Sequence, residues 1–461
     1  MIVYSTQIIR KISFLQVLIC ILYLCKGSKP ERMKRRQFIA AASLTAGGVL
    51  SHPFITYARQ SKYKLALIGS GWWGTNILRE ALRHGGCRLV ALCDADENQL
   101  KKCLEEVQKM TTDRPATYKD YRELLRKEKP DIVINATPDH WHALIAIEAL
   151  KSGAHMYLEK PIGHTVNEGK AIVKAVQETG QTCAVGFHRR YSPHNVSGME
   201  FLKSGKAGTV KEVRAFVTYN FWPGNQLQNE TVPQGLDWDL WCGPAPLVPY
   251  SSAIHPRGWR QRLEFANGQA GDWGPHWFDQ VLWWTEETAP KRVYSVSSDK
   301  IKSDNYNAPE SQVIVYDFED FNCIWEHSNL NGRPQSRTEN VGVYFHGTEG
   351  TFHMGWQNGW SFYPRENKKE IIHQPAQLDQ PDSQNIALVW ADFMEAIKAK
   401  KQPFADIIKG HRATNMSLLG MAALKAGRSL EWDGQKEEFV NDPAANKLLR
   451  RGYRGEWSYP G

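Results

Sequence analysis

Short apolar strands alternate with amphipathic helical segments between residues 61 and 187. A strand at 64–68 is followed by a segment whose apolar residues Ile77, Ala81 and Leu82 recur on one helical face. Further buried strands are predicted at 88–93, 131–136 and 155–158. Such alternation is typical of a doubly wound parallel sheet. We therefore predict an α/β Rossmann domain over residues 61–187.

From about residue 188 the pattern changes to clustered strands with few helices. Eight strand-like segments are predicted at 212–219, 292–298, 312–318, 322–327, 341–346, 351–354, 361–364 and 371–373, with helices at 386–399 and 411–427. Clustered strands with few helices favour one large, mostly antiparallel sheet that leaves a face for the cofactor. We predict a substrate-binding α+β domain over residues 188–461, in which the Pro-, Gly- and Trp-rich stretch 220–262 forms loops around a pocket.

Residues 1–60 have the pattern of a leader rather than of a folded domain. Arg35-Arg36-Gln37-Phe38-Ile39 is a twin-arginine pattern, and a run of small and apolar residues follows over 40–50. We predict export to the periplasm by the twin-arginine route, with the leader removed or kept as a membrane anchor and no transmembrane span in the mature chain. Met33 is the expected start. The alternative is that the apolar segment 12–25 is the real signal, although its 14 residues are short for a membrane span.

The formal net charge of +8 belongs to this leader. Residues 1–60 carry nine basic residues and one acidic residue, and the remainder has 48 of each sign. A nucleic-acid partner therefore has no electrostatic support. The eight cysteines include no Cys-x-x-Cys spacing, so we predict neither a disulfide framework nor a metal site.

A dinucleotide fingerprint follows the first strand, at Gly69-Ser70-Gly71-Trp72-Trp73-Gly74. Gly69 permits a tight turn, Gly71 lets the backbone approach a pyrophosphate, and Gly74 lets helix and strand pack closely. The pyrophosphate then lies at the helix N-terminus, where unpaired N–H groups favour an anion. Asp94 ends the second strand, 20 residues after Gly74, and can bind the ribose hydroxyls. Its charge repels a 2′-phosphate, which favours NAD over NADP.

Two further strand ends carry candidate residues. The segment Thr137–His142 follows the strand at 131–136, and Glu159-Lys160-Pro161 follows the strand at 155–158. Ligands bind outside the carboxyl ends of such strands. Lys160 precedes a proline and is therefore biased towards an extended backbone, so it can help to deprotonate a substrate hydroxyl; a surface lysine in a turn is an equal alternative. The predicted cofactor contacts are Gly69, Gly71, Trp72, Trp73, Gly74, Asp94, Thr137, Pro138, His142, Glu159 and Lys160.

These motifs, in this order, resemble those of the Gfo/Idh/MocA oxidoreductases, which include glucose–fructose oxidoreductase and inositol dehydrogenases. The resemblance continues through Val185–Arg190, Leu236–Pro246 and Gly271–Asp279, and covers the chain from residue 63 to the C-terminus. The chain resembles the exported branch of this family, which is common in sugar-degrading bacteria. The resemblance implies NAD-dependent hydride transfer at a sugar, polyol or glycoside hydroxyl.

The resemblance also implies a catalytic trio, matched here by Lys160, Asp272 and His276. Pro275 suits the first turn of a helix, which places Asp272 at or just before the helix start and His276 in its first turn. His276 is then the expected proton acceptor, with Lys160 as its electrostatic helper. Asp272 orients the imidazole, binds a substrate hydroxyl, or caps the helix. Asp279 is expected to be structural.

Candidate substrate contacts are Arg189, Arg190 and Trp238. For the two arginines a surface salt bridge is an equal alternative. For both Trp238 and Trp241, core packing and sugar stacking are equal alternatives. His411 is expected to be structural.

Three functions remain open on the sequence alone. The first is a carbohydrate dehydrogenase, and the second is a redox-neutral enzyme that cleaves a glycoside through a keto-sugar and then returns the hydride. The periplasm has no free NAD pool, which favours an enzyme that regenerates its cofactor in place. The third, a non-catalytic carbohydrate-binding protein, is disfavoured by the intact trio. The expected partners are a small carbohydrate and a second copy of the chain, bound through the sheet of the second domain.

Overall fold

The computed structural model describes residues 63–218, 227–297, 307–328 and 339–460. The predicted leader, with its twin arginine and Met33, lies outside the described residues. Among the helices that are described, none is both long and apolar enough to cross a membrane. The six cysteines of the described ranges are buried, and none of them forms a disulfide.

The first half is a Rossmann domain, as predicted. Its six strands are all parallel and lie in the order β3-β2-β1-β4-β5-β6. The strands are β1 (Tyr63–Ile68), β2 (Cys87–Cys93), β3 (Ala116–Tyr118), β4 (Ile132–Asn135), β5 (His155–Leu158) and β6 (Cys183–Val185). The helices between them are α1 (Trp72–His84), α2 (Glu97–Met110), α3 (Tyr121–Glu128), α4 (His142–Lys151) and α5 (Val166–Thr179).

The turn between β1 and α1 requires glycine at two positions. Gly69 has φ +89°, and a Cβ there would lie 2.6 Å from the Ala136 carbonyl. A Cβ on Gly74 would lie 2.0 Å from the Gly69 carbonyl oxygen. Neither backbone group can move aside cheaply, so the close approach of α1 to the sheet depends on both glycines.

The second half contains one ten-stranded sheet in the order β14-β13-β12-β11-β7-β10-β9-β8-β15-β16. Only β7 and β10 pair in parallel among its described ladders, so the sheet is mostly antiparallel, as predicted. The strands are β7 (Val210–Val217), β8 (Arg292–Ser297), β9 (Ser311–Asp317), β10 (Asn322–Ser328), β11 (Val341–Gly347), β12 (Gly350–Gly355), β13 (Trp360–Pro364), β14 (Ile372–Gln374), β15 (Leu430–Asp433) and β16 (Glu438–Phe439). The predicted strand ends at Tyr219 and Ser298 lie outside the described residues.

Seven helices complete the described part of the second half: α6 (Pro193–Lys203), α7 (Trp238–Cys242), α8 (Gly268–Asp272), α9 (Gly274–Thr285), α10 (Pro381–Lys398), α11 (Ile407–Ala426) and α12 (Pro443–Asn446). Helices α9 and α11 cover one face of the sheet, where Phe278 packs on Tyr316 and Trp325. Helices α10 and α11 begin five and four residues before the predicted positions. The reason is that Pro381 and the Asp406 cap precede the apolar pattern.

Helix α10 belongs to the second half by sequence but packs on the Rossmann sheet. Ile386, Trp390 and Phe393 share a core with Leu67 and Ile77. The helix brings the segment around Asp382 to the edge of the cofactor domain. The two halves therefore share a hydrophobic core near the site.

Candidate active site

A cavity of about 890 Å³ lies beside the carboxyl ends of the Rossmann strands and is lined by both halves of the chain. Eleven of the sequence-predicted site residues line it: Gly69, Gly71, Trp72, Trp73, Asp94, Thr137, Pro138, Glu159, Lys160, Asp272 and His276. Five others lie off its wall: Gly74, His142, Arg189, Arg190 and Trp238. Gly74 has the packing role expected of it.

One end of the cavity fits the adenosine and pyrophosphate of a dinucleotide. Helix α1 begins directly after Gly71, and a Cβ at Gly71 would have no atom within 4 Å, so a ligand can approach its backbone. Asp94 accepts hydrogen bonds from the Ser70 amide (2.8 Å), the Ser70 hydroxyl (3.1 Å) and the Asp96 amide (3.0 Å). Burial raises the pKa of Asp94, and these donors oppose the shift. The donors hold the carboxylate in place to accept ribose hydroxyls.

Part of the loop-rich stretch predicted around the pocket covers this dinucleotide end. His255 Nε2 lies 2.9 Å from Asp96 Oδ2, and the Asp237 amide donates to the Ala95 carbonyl at 2.9 Å. Residues 255–257 line the cavity, and the Arg257 guanidinium lies 5.8 Å from the Trp72 ring centre. The second half therefore walls the cofactor end as well as the substrate end.

At the other end, Lys160 and Asp272 form an ion pair. Lys160 Nζ donates to Asp272 Oδ1 at 2.7 Å and to the Asp272 carbonyl at 2.8 Å, which leaves one ammonium proton for a third acceptor. Arg260 Nε lies 3.5 Å from the other carboxylate oxygen. Burial alone would raise the pKa of Asp272, but Lys160 and Arg260 hold it below its usual value. Asp272 is therefore a carboxylate that fixes the position of Lys160.

Glu159 is buried directly beneath this pair. Its Oε2 accepts from the Lys160 amide at 3.1 Å, and Gly186 leaves the space it occupies, since a Cβ there would lie 2.2 Å from Oε1. Burial raises the pKa of Glu159 to about 7, against the attraction of Lys160. Glu159 packs against the Lys160 backbone and helps to fix its position.

His276 lies in the first turn of α9, as predicted, and its ring is buried on the cavity wall. Its Nδ1 makes no hydrogen bond to any described residue. Burial holds the pKa of His276 well below its usual value, and the charge of Lys160 adds to the effect. The imidazole is therefore neutral at neutral pH and can accept a proton. The expectation that Asp272 orients this ring is corrected, because the carboxylate bonds to Lys160, and Asp272 ends α8 instead of capping α9.

The structure gives Arg190 a structural role in place of the predicted substrate contact. Its Nη2 lies 2.6 Å from Asp279 Oδ1, its Nε lies 3.1 Å from both carboxylate oxygens, and both residues are almost fully buried. Trp283 and Phe404 enclose the guanidinium. Asp279 is structural, as expected.

Trp238, Arg189 and His142 are also corrected. Trp238 is buried against Trp241, with ring centres 4.6 Å apart, and it is Trp241 that reaches the cavity. Arg189 is 2% exposed and lies off the cavity wall, and its guanidinium stacks at 3.4 Å on Trp356, a ring that does line the cavity. The His142 ring lies between the carbonyls of Thr137 (2.8 Å) and Pro161 (2.6 Å) and ties the two cofactor loops together.

His411 does not line the cavity. Its Nε2 lies 2.6 Å from Glu437, and its ring packs on Gly169. This is the structural placement expected for it.

The cavity also contains residues that the sequence did not single out. Among them are Asp139, His188, Trp259, Arg260, Trp273, Trp356 and Asp382. His188 stands beside the two arginines that were chosen, in the same segment. Trp356 and Asp382 come from a strand end and a helix start far along the chain, and nothing in their local pattern marks them.

Comparison with known proteins identifies the family. Residues 63–187 match the model "Oxidoreductase family, NAD-binding Rossmann fold" of GFO_IDH_MocA, and residues 200–459 match "Oxidoreductase family, C-terminal alpha/beta domain". A curated relative, a "Glycosyl hydrolase family 109 protein" of Stenotrophomonas maltophilia, is 28% identical over 53% of this chain and 53% of its own. An "Alpha-N-acetylgalactosaminidase" of Shewanella oneidensis is 27% identical over 36% of this chain and 38% of its own. The matches span about half the length of these relatives or less.

Solved structures share the fold at low identity. A levoglucosan dehydrogenase, solved with NADH and levoglucosan, superposes with a TM-score of 0.61 at 17% identity, over 80% of this chain and 99% of its own. An aldose-aldose oxidoreductase from Caulobacter crescentus gives 0.61 at 17% identity, over 80% of this chain and all of its own. The two family models together match most of the chain, and it belongs to the Gfo/Idh/MocA family of NAD-binding oxidoreductases.

Proposed function

We propose that this protein oxidises a hydroxyl group of a carbohydrate by hydride transfer to NAD. The observation that carries the proposal is one cavity with a dinucleotide fingerprint at one end and, at the other, the Lys160–Asp272 pair beside a neutral His276. The solved neighbours named for levoglucosan and aldoses support a carbohydrate as substrate.

Three side chains have separate roles in the oxidation of the hydroxyl group. His276 takes the hydroxyl proton, since its ring is unprotonated and faces the cavity. Lys160 directs its remaining ammonium proton at the same oxygen and stabilises the negative charge that develops there. Asp272 holds Lys160 in that position. NAD, held at the Gly69–Gly74 turn and Asp94, would supply the acceptor for the hydride.

A second candidate function is redox-neutral cleavage of a glycoside. The names of the curated relatives, glycosyl hydrolase family 109 and α-N-acetylgalactosaminidase, favour it. Oxidation of a ring hydroxyl acidifies the neighbouring C–H, the glycosidic oxygen is eliminated, water adds, and the hydride returns. The same site begins both reactions.

One experiment separates the two. Purified protein without added NAD is incubated with a panel of sugars, polyols and glycosides, and the products are analysed for keto-sugar and for released free sugar. Keto-sugar in an amount limited by the bound cofactor indicates a dehydrogenase, and free sugar in many turnovers indicates cleavage. If sugar binds but neither product forms, the protein is a carbohydrate-binding protein and both proposals are wrong.

The protein is expected to carry NAD(H) when purified. Denaturation should release nucleotide, and NADP, or no nucleotide after gentle purification, would contradict the expectation. In Asp94→Ala the ribose loses a charged acceptor, so the preference for NAD over NADP should fall roughly 10- to 100-fold in measured Kd ratios. Asp113→Ala, on a carboxylate outside the cavity, is the control.

We propose export of the folded, cofactor-loaded protein, supported by the twin-arginine pattern. Replacing Arg35 and Arg36 by Lys should hold the protein in the cytoplasm, as measured by cell fractionation. Arg59→Lys, on a leader arginine outside the pair, is the matched control and should export normally. Export of the double variant would show that the segment before Met33 is the real signal.

We also propose that two copies pair through the face of the ten-stranded sheet opposite α9 and α11. Tyr294, Val296 and Val313 point to that face and are 38–47% exposed, whereas Val293 and Ile314 on the opposite face are fully buried. An apolar stripe on an open sheet favours a partner. Val296→Lys with Val313→Lys should shift the mass measured by light scattering from dimer to monomer, and an unchanged mass would contradict the pairing.

A further inference from the structure

His188 is a cavity residue to which the site described above gives no role. It follows β6 directly, at the carboxyl edge of the Rossmann sheet, in the 3₁₀ turn His188–Tyr191. Its side chain is almost fully buried yet lines the cavity. Neither ring nitrogen meets full hydrogen-bond geometry with a described residue, although the Gly186 backbone interacts with the ring and partly offsets the lowering of its pKa. A weakly bonded buried ring on a cavity wall leaves its nitrogens available to a bound ligand, and the position of His188 on that wall is what distinguishes it from other buried histidines.

The surroundings of His188 place it beside the proton acceptor. Its ring centre lies 5.0 Å from that of His276, and the rings of Trp73 and Trp356 flank it, each at 5.7 Å. Burial lowers the pKa of His188 to about 3, with the charges of Arg189 and Lys160 adding to the effect. Two unprotonated imidazoles therefore stand side by side on one wall.

A carboxylate lies within reach of this second imidazole. His188 Nε2 is 4.0 Å from Asp382 Oδ1, beyond hydrogen-bond distance but close enough to stabilise a positive charge on the ring. Asp382 also lines the cavity, and its side chain is 54% exposed, so it is free to close the remaining gap. His188 with Asp382 therefore has the parts of a second acid–base group: a neutral acceptor and a counter-charge for its protonated form.

We propose that His188 is the base that removes the proton from the carbon adjacent to the one whose hydroxyl His276 deprotonates. This rests on the proposed cleavage function. Adjacent carbons are one bond apart, so two bases that approach them from the same side can act at hydrogen-bond reach as close neighbours on one wall. The 5.0 Å spacing of the two rings fits that arrangement.

Water is the only reactant that this cleavage needs besides the glycoside. Oxidation leaves a ketone; the adjacent C–H bond then breaks, an N–H bond forms at His188 Nε2, and the electron pair becomes an enolate. The C–O bond to the leaving group breaks, His188 returns its proton to the departing oxygen, and an unsaturated ketone remains. Water adds across the double bond, with hydroxyl on the carbon that lost the leaving group and hydrogen on its neighbour. Return of the hydride and of the His276 proton restores the alcohol, so one water is consumed and no net oxidation occurs.

The test compares three holoenzymes in deuterated water: the wild type, His188→Gln and His194→Gln. His194 is a matched control, because it is also a buried histidine with a lowered pKa but does not line the cavity. The probes are p-nitrophenyl α- and β-glycosides of glucose, galactose and N-acetylgalactosamine. Three quantities are measured: reduction of the bound nicotinamide in the first turnover, deuterium at the carbon next to the oxidised one, and release of nitrophenol.

His188→Gln should still reduce its nicotinamide, while deuterium incorporation and nitrophenol release fall about 10²–10⁴-fold, the contribution of a positioned base. His194→Gln should behave as the wild type. Retained exchange in His188→Gln overturns the proposal, as does an equal loss of nicotinamide reduction. If His188→Gln does not retain bound nicotinamide, the Asp382→Asn variant is measured instead. An unchanged rate of deuterium incorporation in Asp382→Asn overturns the proposal.

Failure of the inference is distinguishable from failure of the proposed function. A wild type that reduces its nicotinamide but neither exchanges nor releases nitrophenol is a dehydrogenase without a C–H base, which overturns the role of His188 alone. A wild type that does not reduce its nicotinamide with any probe contradicts the proposed function, and the inference fails with it.

Discussion

Replacing His276 by Gln or Lys160 by Met is expected to lower turnover by about 10²–10⁴-fold while bound NAD is retained. His276→Gln removes the proton acceptor, and Lys160→Met removes the charge that stabilises the alkoxide. Rapid-mixing measurement of nicotinamide reduction gives the rate, and nucleotide released on denaturation gives the occupancy. Asp272→Asn should do less damage if its role is limited to holding Lys160.

Lys170→Met is the matched control for Lys160, because Lys170 is a lysine outside the cavity. It should retain full activity. If both His276→Gln and Lys160→Met keep near-wild-type rates on a proven substrate, the chemistry takes place elsewhere and the site assignment is wrong.

The pH profile of Lys160→Met should also move. Burial lowers the pKa of His276, and the positive charge of Lys160 lowers it further; His188 and Arg189 also face it. Loss of the Lys160 charge therefore raises the pKa of His276 towards its usual value. The acidic limb of kcat/KM should shift to higher pH, because a higher pH is then needed to keep the base unprotonated. An unmoved limb would mean that another group carries it.

Arg190→Met is expected to cost about 3–5 kcal/mol of unfolding free energy, because it leaves the buried Asp279 carboxylate without its partner. Burial already raises the pKa of Asp279 against the attraction of Arg190. Denaturant unfolding measures the loss. The double variant Arg190→Met with Asp279→Leu should recover much of it, since no buried charge is then left unpaired.

The same variant tests the substrate role first expected of Arg190. If the Arg190→Met protein is stable and its KM is raised, Arg190 contributes to substrate binding after all. Arg214→Met, on an arginine whose ion pair is partly exposed, is the control and should change stability by less than 1 kcal/mol.

The sequence alone determined the cofactor half of this protein. The turn Gly69–Gly74 and the carboxylate of Asp94 depend only on residues within one βαβ unit. That unit contains the glycine with positive φ, the close approach of the helix to the strand and the acid at the strand end. Lys160 is a candidate because it lies at a strand end before a proline, with a surface lysine as an equal alternative. His276 is identified through the family resemblance, and Pro275 agrees with its place in the first turn of a helix. The overall class of both sheets followed from the spacing of apolar residues.

Only the tertiary structure decided how the second half completes the site. Arg189 and Arg190 are adjacent in sequence, yet one backs Trp356 and the other is buried against Asp279. His188, beside them, faces the cavity with His276 and Asp382, which lie 88 and 194 positions further along the chain. No local pattern encodes such contacts, because they arise where the carboxyl edge of one sheet meets helices from the other half. The physical reason is that burial and pairing, which separate a structural charge from a reactive one, are properties of surroundings assembled from distant segments.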